Sequence, residues 1–336
     1  MPEEIDFSFR GGLADDHSMD FYEAGRFQYG ASRLMVKLDK FRRTGAFPAR
    51  ITDDQNTKIL LKTQEDGSFV ISTLIPILQA GGPEFITTSL GTLWSYVADR
   101  VFSKSDTEII RDALQNEGRL IEAFDRNAAR QADQNEQTLT MLTERIGAGE
   151  RLTQTAFDLY ERLLAEKERS VRLEAENAEL RRITPEQDAK LISMAAPLLK
   201  DMGVTMRSSA SSLTISANDN GNNRPIIFLN KTMVKEINTS VVDDHLTLIL
   251  VRIVQYNVEN GWGKLRTNEA KGLLSFNVPS DRKADVQPEL LDALDRGGNR
   301  LDTYVECLMV KSTAGLLQRM VILAVRDLDM LEGGDF

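Results

Sequence analysis

Cysteine and histidine are scarce in this chain, proline is missing from a long stretch of its middle, and positive charge is outweighed by negative. The 336 residues hold one cysteine, Cys307, and two histidines. A single thiol cannot close an internal disulfide, which excludes a disulfide-stapled secreted scaffold. Cys307 lies in a strongly apolar strand pattern with neither histidine near it in sequence, so it reads as a small buried hydrophobe. Also lacking are a Walker loop, a dinucleotide fingerprint, a nucleophile elbow and a paired-histidine zinc helix. The glycines Gly11-Gly12 follow a strand pattern, but "GGLADDH" has neither the glycine spacing nor the lysine of a phosphate loop and reads as a turn. A non-enzymatic protein with no cofactor is therefore expected.

The net charge of −10 repels phosphate backbones over the molecule as a whole, so any nucleic-acid role needs a local basic face. The densest basic run, "KLDKFRR", sits on an amphipathic helix and reads as a solvated face. Long apolar runs are lacking too. From Phe69 to Phe102 the charges are only Glu84, Asp99 and Arg100, but Gly81-Gly82-Pro83 splits the run, and neither half reaches the ~20 residues of a membrane span. The second half sets Phe85, Ile86, Leu90, Leu93, Trp94, Val97 and Val101 on one helical face, suited to packing on a sheet or, less simply, to lying on a membrane surface. The opening "MPEEIDFSF" lacks a basic and then apolar leader, so a cytoplasmic location is expected.

What is present is 41% hydrophobic and 27% charged, a globular balance, over a length that calls for two or three folding units. The expected class is α+β: an N-terminal α+β domain (1–104), a central helical coiled-coil arm (105–203) and a C-terminal antiparallel β domain resembling a small barrel (204–336). In the first, "EIDFSFRGG" alternates as a strand. Phe21, Ala24, Phe27, Ala31, Leu34, Leu38 and Phe41 then recur at helical spacing before Gly45 and Pro48. "TKILLKT" and "GSFVISTLI" flank an Asp-Gly hairpin signal.

The middle has no proline before Pro185, and its glycines are Gly118, Gly147 and Gly149. It opens on a capping box, Ser105 to Glu108, and another at Thr184-Pro-Glu-Gln187 starts a helix running to Gly203. Between them Leu152, Leu159, Leu173 and Leu180 fall on heptad d positions, and Ala156, Leu163 and Asn177 on a positions. These seven residues are the expected oligomerisation seam of a homo-oligomer, with Asn177 fixing the register. Glu166 and Ser170 interrupt the seam, and a helical hairpin folded back at "GAGE" (147–150) is the intramolecular alternative.

The C-terminal part offers seven short strands: "SLTISA", "RPIIFLN", "HLTLILVRIVQYNV", "GWGKLRT", "GLLSFNV", "TYVECLMVK" and "LQRMVILAVR". Trp262, Lys264 and Arg266 share one strand face, a pairing of aromatic and cations that suits stacked bases and phosphates. "DRK" at 281–283, Lys311 and Arg319 would extend that face. The alternative is a tryptophan closing one barrel end beneath solvated cations. Two triplets, Asp15-Asp16-His17 and Asp243-Asp244-His245, carry metal-ligating groups, but aspartates in turns more simply cap the element that follows.

The pieces "FSFRGG", "DDHSMDFYEAGRFQYGASRLM", "DGSFVIS", "GWGKLR" and "KSTAGLLQRMVIL" resemble a group of uncharacterised bacterial proteins. In that group a similar opening unit and small β domain flank a variable middle. The resemblance implies a bacterial defence or mobile-element setting and carries no residue-level function. The leading expectation is a self-associating adaptor with an unidentified protein partner. The second is a nucleic-acid or nucleotide-binding sensor using the β domain, and the third is a metal-dependent hydrolase using the Asp-Asp-His triplets.

Overall fold

Strand β1 (Glu3–Arg10) buries Ile5, Phe7 and Phe9 on alternate positions and needs a neighbour on each edge for its backbone groups. The computed structural model describes residues 3–47, 51, 59–62, 69–75, 84–105, 107–128, 134–219, 222–270, 272–296, 303–313 and 316–326. In it β1 lies at the centre of an antiparallel sheet ordered β2 (Leu60–Leu61), β3 (Phe69–Ile75), β1, β4 (Ser212–Asp219), β5 (Asn222–Asn230). Ile5 pairs with Thr73 on one side and Ala217 on the other. The strands "SLTISA" and "RPIIFLN" therefore complete the N-terminal sheet and do not belong to the C-terminal β domain. The boundary expected at residue 204 is corrected accordingly: alternation identifies a strand but not the sheet it joins. The turns expected at Asp66-Gly67 and Gly81–Pro83, and Asp106 of the first capping box, lie outside the described residues.

Helix α1 (Phe21–Thr44) starts where the Asp20 carboxylate accepts from the Glu23 amide and stops at Gly45, whose φ of 65° suits a residue without Cβ. Its stripe begins at Phe27, which meets Phe7 and Phe9 edge-on. Phe21, expected within the stripe, is 93% exposed. Glu23 anchors the first turn instead, accepting from the Ser209 amide and from the hydroxyls of Ser208 and Ser209. Helix α2 (Leu90–Val101) is buried at every residue. Gly91 permits this contact with the sheet, since a Cβ there would lie 2.7 Å from that of Ala217. The apolar face at Phe85–Val101 is thus covered by the chain itself, and among the described residues no helix is long and apolar enough to cross a membrane.

Helices α3 (Thr107–Leu114), α4 (Arg119–Ala128), α5 (Gln134–Gly147), α6 (Gln154–Ala175), α7 (Asn177–Leu180) and α8 (Pro185–Met202) follow. They do not form an extended arm with an open seam. Ala156, Leu159 and Leu163 pack with Ile110, Leu114, Phe124, Leu139 and Leu142 of α3–α5, and Leu152 lies against that cluster. Leu173 and Leu180 enter the main core, and Asn177 is half-buried, accepting from Arg181. The chain reverses at 147–150, with Gly149 at φ 76°. The seven seam residues are corrected from a surface between copies to positions within one chain. Helix α8 starts on the expected capping box, but Gly203 keeps a right-handed φ of −65° and the chain winds on through a short 3-10 turn.

Strands β6 (Ser240–Val242), β7 (Thr247–Tyr256), β8 (Trp262–Thr267), β9 (Leu274–Asn277), β10 (Thr303–Ser312) and β11 (Leu317–Arg326) make the second sheet, with helix α10 (Lys283–Asp295) between β9 and β10. The five longer ones close into a barrel, β7–β8–β9–β11–β10 and back to β7, with only the β9–β11 pair parallel. Ile249, Val251, Leu265, Phe276, Val305, Cys307 and Ile322 fill it, together with Leu290 of α10. Gly263 is a close-approach glycine, because a Cβ there would stand 2.3 Å from the Phe276 ring.

The barrel docks on the first unit at the C-terminal end of α2. Fully buried Arg100 pairs with Asp188 of α8 at 2.8 Å and grips both oxygens of Asp281 before α10 at 2.9 Å. Its guanidinium lies 3.5 Å from the centre of the Tyr96 ring. Arg319 of β11 donates to the carbonyls of Arg100 and Val101 and to Asn277, so the last turn of α2 is capped by the barrel. Asp99 accepts from the Ser280 amide at 2.7 Å and pairs with Arg169 and Lys104. Burial alone would raise the Asp99 carboxyl; Lys104, Arg169 and that amide outweigh it and hold the group well below the usual carboxylate range.

Two outcomes are expected. Leu163→Ala should lower unfolding free energy by roughly 2–5 kcal/mol in urea titration, as a buried leucine does, while sedimentation of the folded chain stays independent of concentration. Because Asp99 is depressed in the fold, its contribution is present above the unfolded value of about 4 and fades as pH falls below it. Asp99→Asn, which leaves buried cations unpaired, should cost about 3–5 kcal/mol at pH 7. Denaturation series at pH 7, 4 and 3 should show that gap narrowing, and a gap that widens in acid would contradict the sign.

Candidate functional site

The outer surface of the barrel at β7 and β8 gathers an aromatic ring and three cationic residues. Strand β8 alternates strictly: Gly263, Leu265 and Thr267 turn inward and are buried, which sends Trp262, Lys264 and Arg266 outward on one face. The Lys264 ammonium lies 5.4 Å from the centre of the Trp262 ring, within reach of a cation–π contact that holds charge and ring together. Arg252 of β7 also points outward and stands directly across from Arg266 in the antiparallel register. The register thus puts two cationic residues at one cross-strand position of this face. Arg252 is absent from the sequence-based set. Its signal was available as an outward position in the alternation of "LTLILVRIVQY".

Beside this face a cleft of about 380 Å³ opens between helices α5 and α6 and the turn joining β7 to β8. The turn is rigidly built: Asn257 accepts from the amides of Glu259 and Asn260, Asn260 accepts from the Trp262 amide at 2.9 Å, and Gly261 has φ 69°. Lys283 at the start of α10 donates to the Glu259 carbonyl at 2.8 Å and pairs with Glu174 of α6 at 3.4 Å. On the cleft's inner side lie Lys104 and Arg169, both buried. Burial lowers the Lys104 ammonium, and Asp99 opposes that shift. Two residues that break the heptad pattern are explained here. Glu166 accepts from the Ser105 amide and hydroxyl and pairs with Arg162, and the Ser170 hydroxyl meets that of Ser280 at 2.9 Å where α6 passes the barrel.

Other residues expected at the binding face are elsewhere. Arg319 is buried under α2, and Lys311 pairs with Asp243 at the edge of β10. Of "DRK", Asp281 holds Arg100, Arg282 donates to the Ile183 carbonyl, and only Lys283 reaches the cleft. Spacing in the sequence cannot show which face of a strand a second domain will cover. "KLDKFRR" is likewise not a free basic patch: Arg42 pairs with Glu3 and Asp39, and Arg43 with Asp39. In the first triplet Asp15 accepts from the Gly11 amide and His17 closes a 3-10 turn at φ 52°. In the second, Asp244 meets His245 at a break between β6 and β7. No group of three His, Cys, Asp or Glu among the described residues is placed to hold a metal ion. Burial raises the Cys307 thiol to about 12, which suits its place inside the barrel.

Comparison with curated proteins and with solved structures gives no match. A family profile does match, over residues 5–238, which spans both halves of the first sheet, the intervening helices and nearly all of helix α9 (Lys231–Thr239), and stops short of the barrel. On that span the chain belongs to the family described as a domain of unknown function, DUF7946.

Proposed function

We propose that the chain binds single-stranded nucleic acid on the outer face of its C-terminal barrel. The observation that carries the reading is one patch in which Trp262, Lys264 and Arg266 share a strand face with Arg252 across from Arg266. An aromatic ring offers a stacking surface to any base, and the flanking cations meet the phosphates that follow it. The order of the five strands, with a helix between the third and fourth, is that of the oligonucleotide- and oligosaccharide-binding barrel, whose ligands lie on the second and third strands. That likeness is one of fold, and the side chains choose among its ligands. Three cations on the same sheet face as a tryptophan favour a phosphate chain over a neutral glycan. A net charge of −10 is compatible with this, since the patch is local and the acidic remainder disfavours indiscriminate binding. A self-associating adaptor would need a different surface, because the leucine seam is spent on the chain's own core.

Fluorescence anisotropy with labelled single-stranded oligonucleotides of about fifteen residues at moderate salt tests the reading. Trp262→Ala should weaken binding by roughly 1–3 kcal/mol, the worth of one stacked base. Lys264→Glu should weaken it across sequences and reduce the slope of log K against log salt by about 0.7 or more. Absence of binding, or variants that bind like the parent, would overturn the assignment.

A further inference from the structure

Away from the barrel, a cavity of about 350 Å³ is walled by α1, the end of α8, the 3-10 turn after it (Gly203–Met206) and α9. Every lining residue falls between Arg26 and Asn238, so the cavity belongs to the family domain and not to the barrel. Its walls meet closely. Gly203 sits under α9, where a Cβ would lie 2.8 Å from the Val234 side chain, and Lys200 in the last turn of α8 donates to the Asn238 carbonyl at 3.5 Å. This packing gathers Arg26, Lys200, Arg207, Lys231 and Lys235 from separate stretches of the chain. Asp201 is the one carboxylate among the lining residues.

Five cations against one carboxylate leave an excess of four positive charges, in a chain whose net charge is −10. The fold does not mend the imbalance. Asp201 is taken by Arg26, and the carboxylates adjoining in sequence are engaged elsewhere: Glu23 accepts from Ser208 and Ser209, and Glu236 from Ser103. Among the described residues, Arg207, Lys231 and Lys235 have no ion-pair or side-chain hydrogen-bond partner. Lys231 and Lys235 stand one turn apart on α9, an unfavourable spacing for like charges, and no acidic residue in the first turn offsets Lys231 at the helix start. Lysines scattered over a surface need no ligand. Cations drawn from α1, α8, the exit of the 3-10 turn and α9 into one concavity are a different matter.

The volume suits a small molecule, within the roughly 300–1,000 Å³ of such sites. One phosphate carries at most about two negative charges, fewer than the excess here. A chain of phosphates carries enough. Arg207 offers a planar fork to its oxygens, and the lysines act as point charges. No aromatic ring lines the cavity, so it offers charge and not stacking, unlike the barrel face. From this charge and shape we infer that the family domain binds the oligophosphate group of a small molecule here, with a nucleoside triphosphate and free polyphosphate as its two sources.

Isothermal titration calorimetry of the full chain tests this, with inorganic tripolyphosphate, ATP and orthophosphate as separate titrants in buffer free of divalent metal. Tripolyphosphate should bind at a single site, roughly tenfold or more tighter than orthophosphate. Arg207→Glu and Lys231→Glu should each weaken it by about tenfold or more. Neither change breaks a pair in the fold, and a carboxylate at the start of α9 suits the helix dipole, so both variants should stay folded. Arg151→Glu, the same charge change at an exposed position outside the cavity, should bind like the parent. ATP binding more tightly than tripolyphosphate would identify a nucleotide as the source, and equal affinity the bare phosphate chain. No heat with tripolyphosphate at millimolar concentration overturns the inference, as does orthophosphate binding equally well (an adventitious ion only). Cavity variants that behave like Arg151→Glu also overturn it. Both cavity variants should keep the parent's affinity for a single-stranded oligonucleotide; if they lose it, the cavity is part of a nucleic-acid path, and this inference falls while the barrel reading stands.

Discussion

Everything in this molecule converges on the last turn of α2, where two buried charges, Asp99 and Arg100, must be satisfied by parts of the chain far apart in sequence. Arg100 alone draws in Asp188 from α8 and Asp281 from the barrel. Removing an arginine and its carboxylates from water costs several kcal/mol for each ion, recovered only when geometry and hydrogen bonding are complete. Here they are. The guanidinium has two carboxylate partners and an aromatic face, and Asp99 has an amide and two cations. Such a junction adds little net stability compared with an apolar one, but it tolerates a single arrangement. The barrel is thereby fixed in orientation against the family domain, and with it the cleft and the strand face that meet at Asn260.

The same requirement decides what α6 does. Its N-terminal half buries leucines against α3–α5, its middle sends Arg169 both to Asp99 and to the Ile226 carbonyl on the sheet's last strand, and its C-terminal half enters the main core. One helix therefore stiffens the helical layer, covers an open sheet edge and forms a wall of the cleft. The seven-residue leucine repeat is a by-product of those tasks.

Local features were readable from the residues: α1 with its Gly45 stop, the Thr184 capping box, the hydrophobic face of α2, the strand carrying Trp262, and the outward trio on it. What could not be read was partnership. Alternation in "SLTISA" is the same whether its neighbour is the first strand or a later one, so the residues alone do not assign β4 and β5 to a sheet. A heptad records that leucines need covering and is silent on whose helix covers them. Arg319 and Lys311 looked equivalent to Lys264 because charge is visible in sequence and burial by a distant helix is not. The cleft had no sequence signature at all, being assembled from α5, α6 and a barrel turn.

The centre of the first sheet has a kinetic consequence. Strand β1 pairs with β4 across roughly two hundred residues, Ile5 against Ala217, so one edge of the oldest strand stays bare while helices α1 to α8 are synthesised. During that interval on the ribosome a row of unpaired amides and carbonyls beside Phe7 and Phe9 waits for its neighbour, an arrangement that folds slowly and is open to chaperones and to mispairing. Late closure by β4 and β5, just ahead of the barrel, makes completion of the family domain and docking of the barrel nearly simultaneous events.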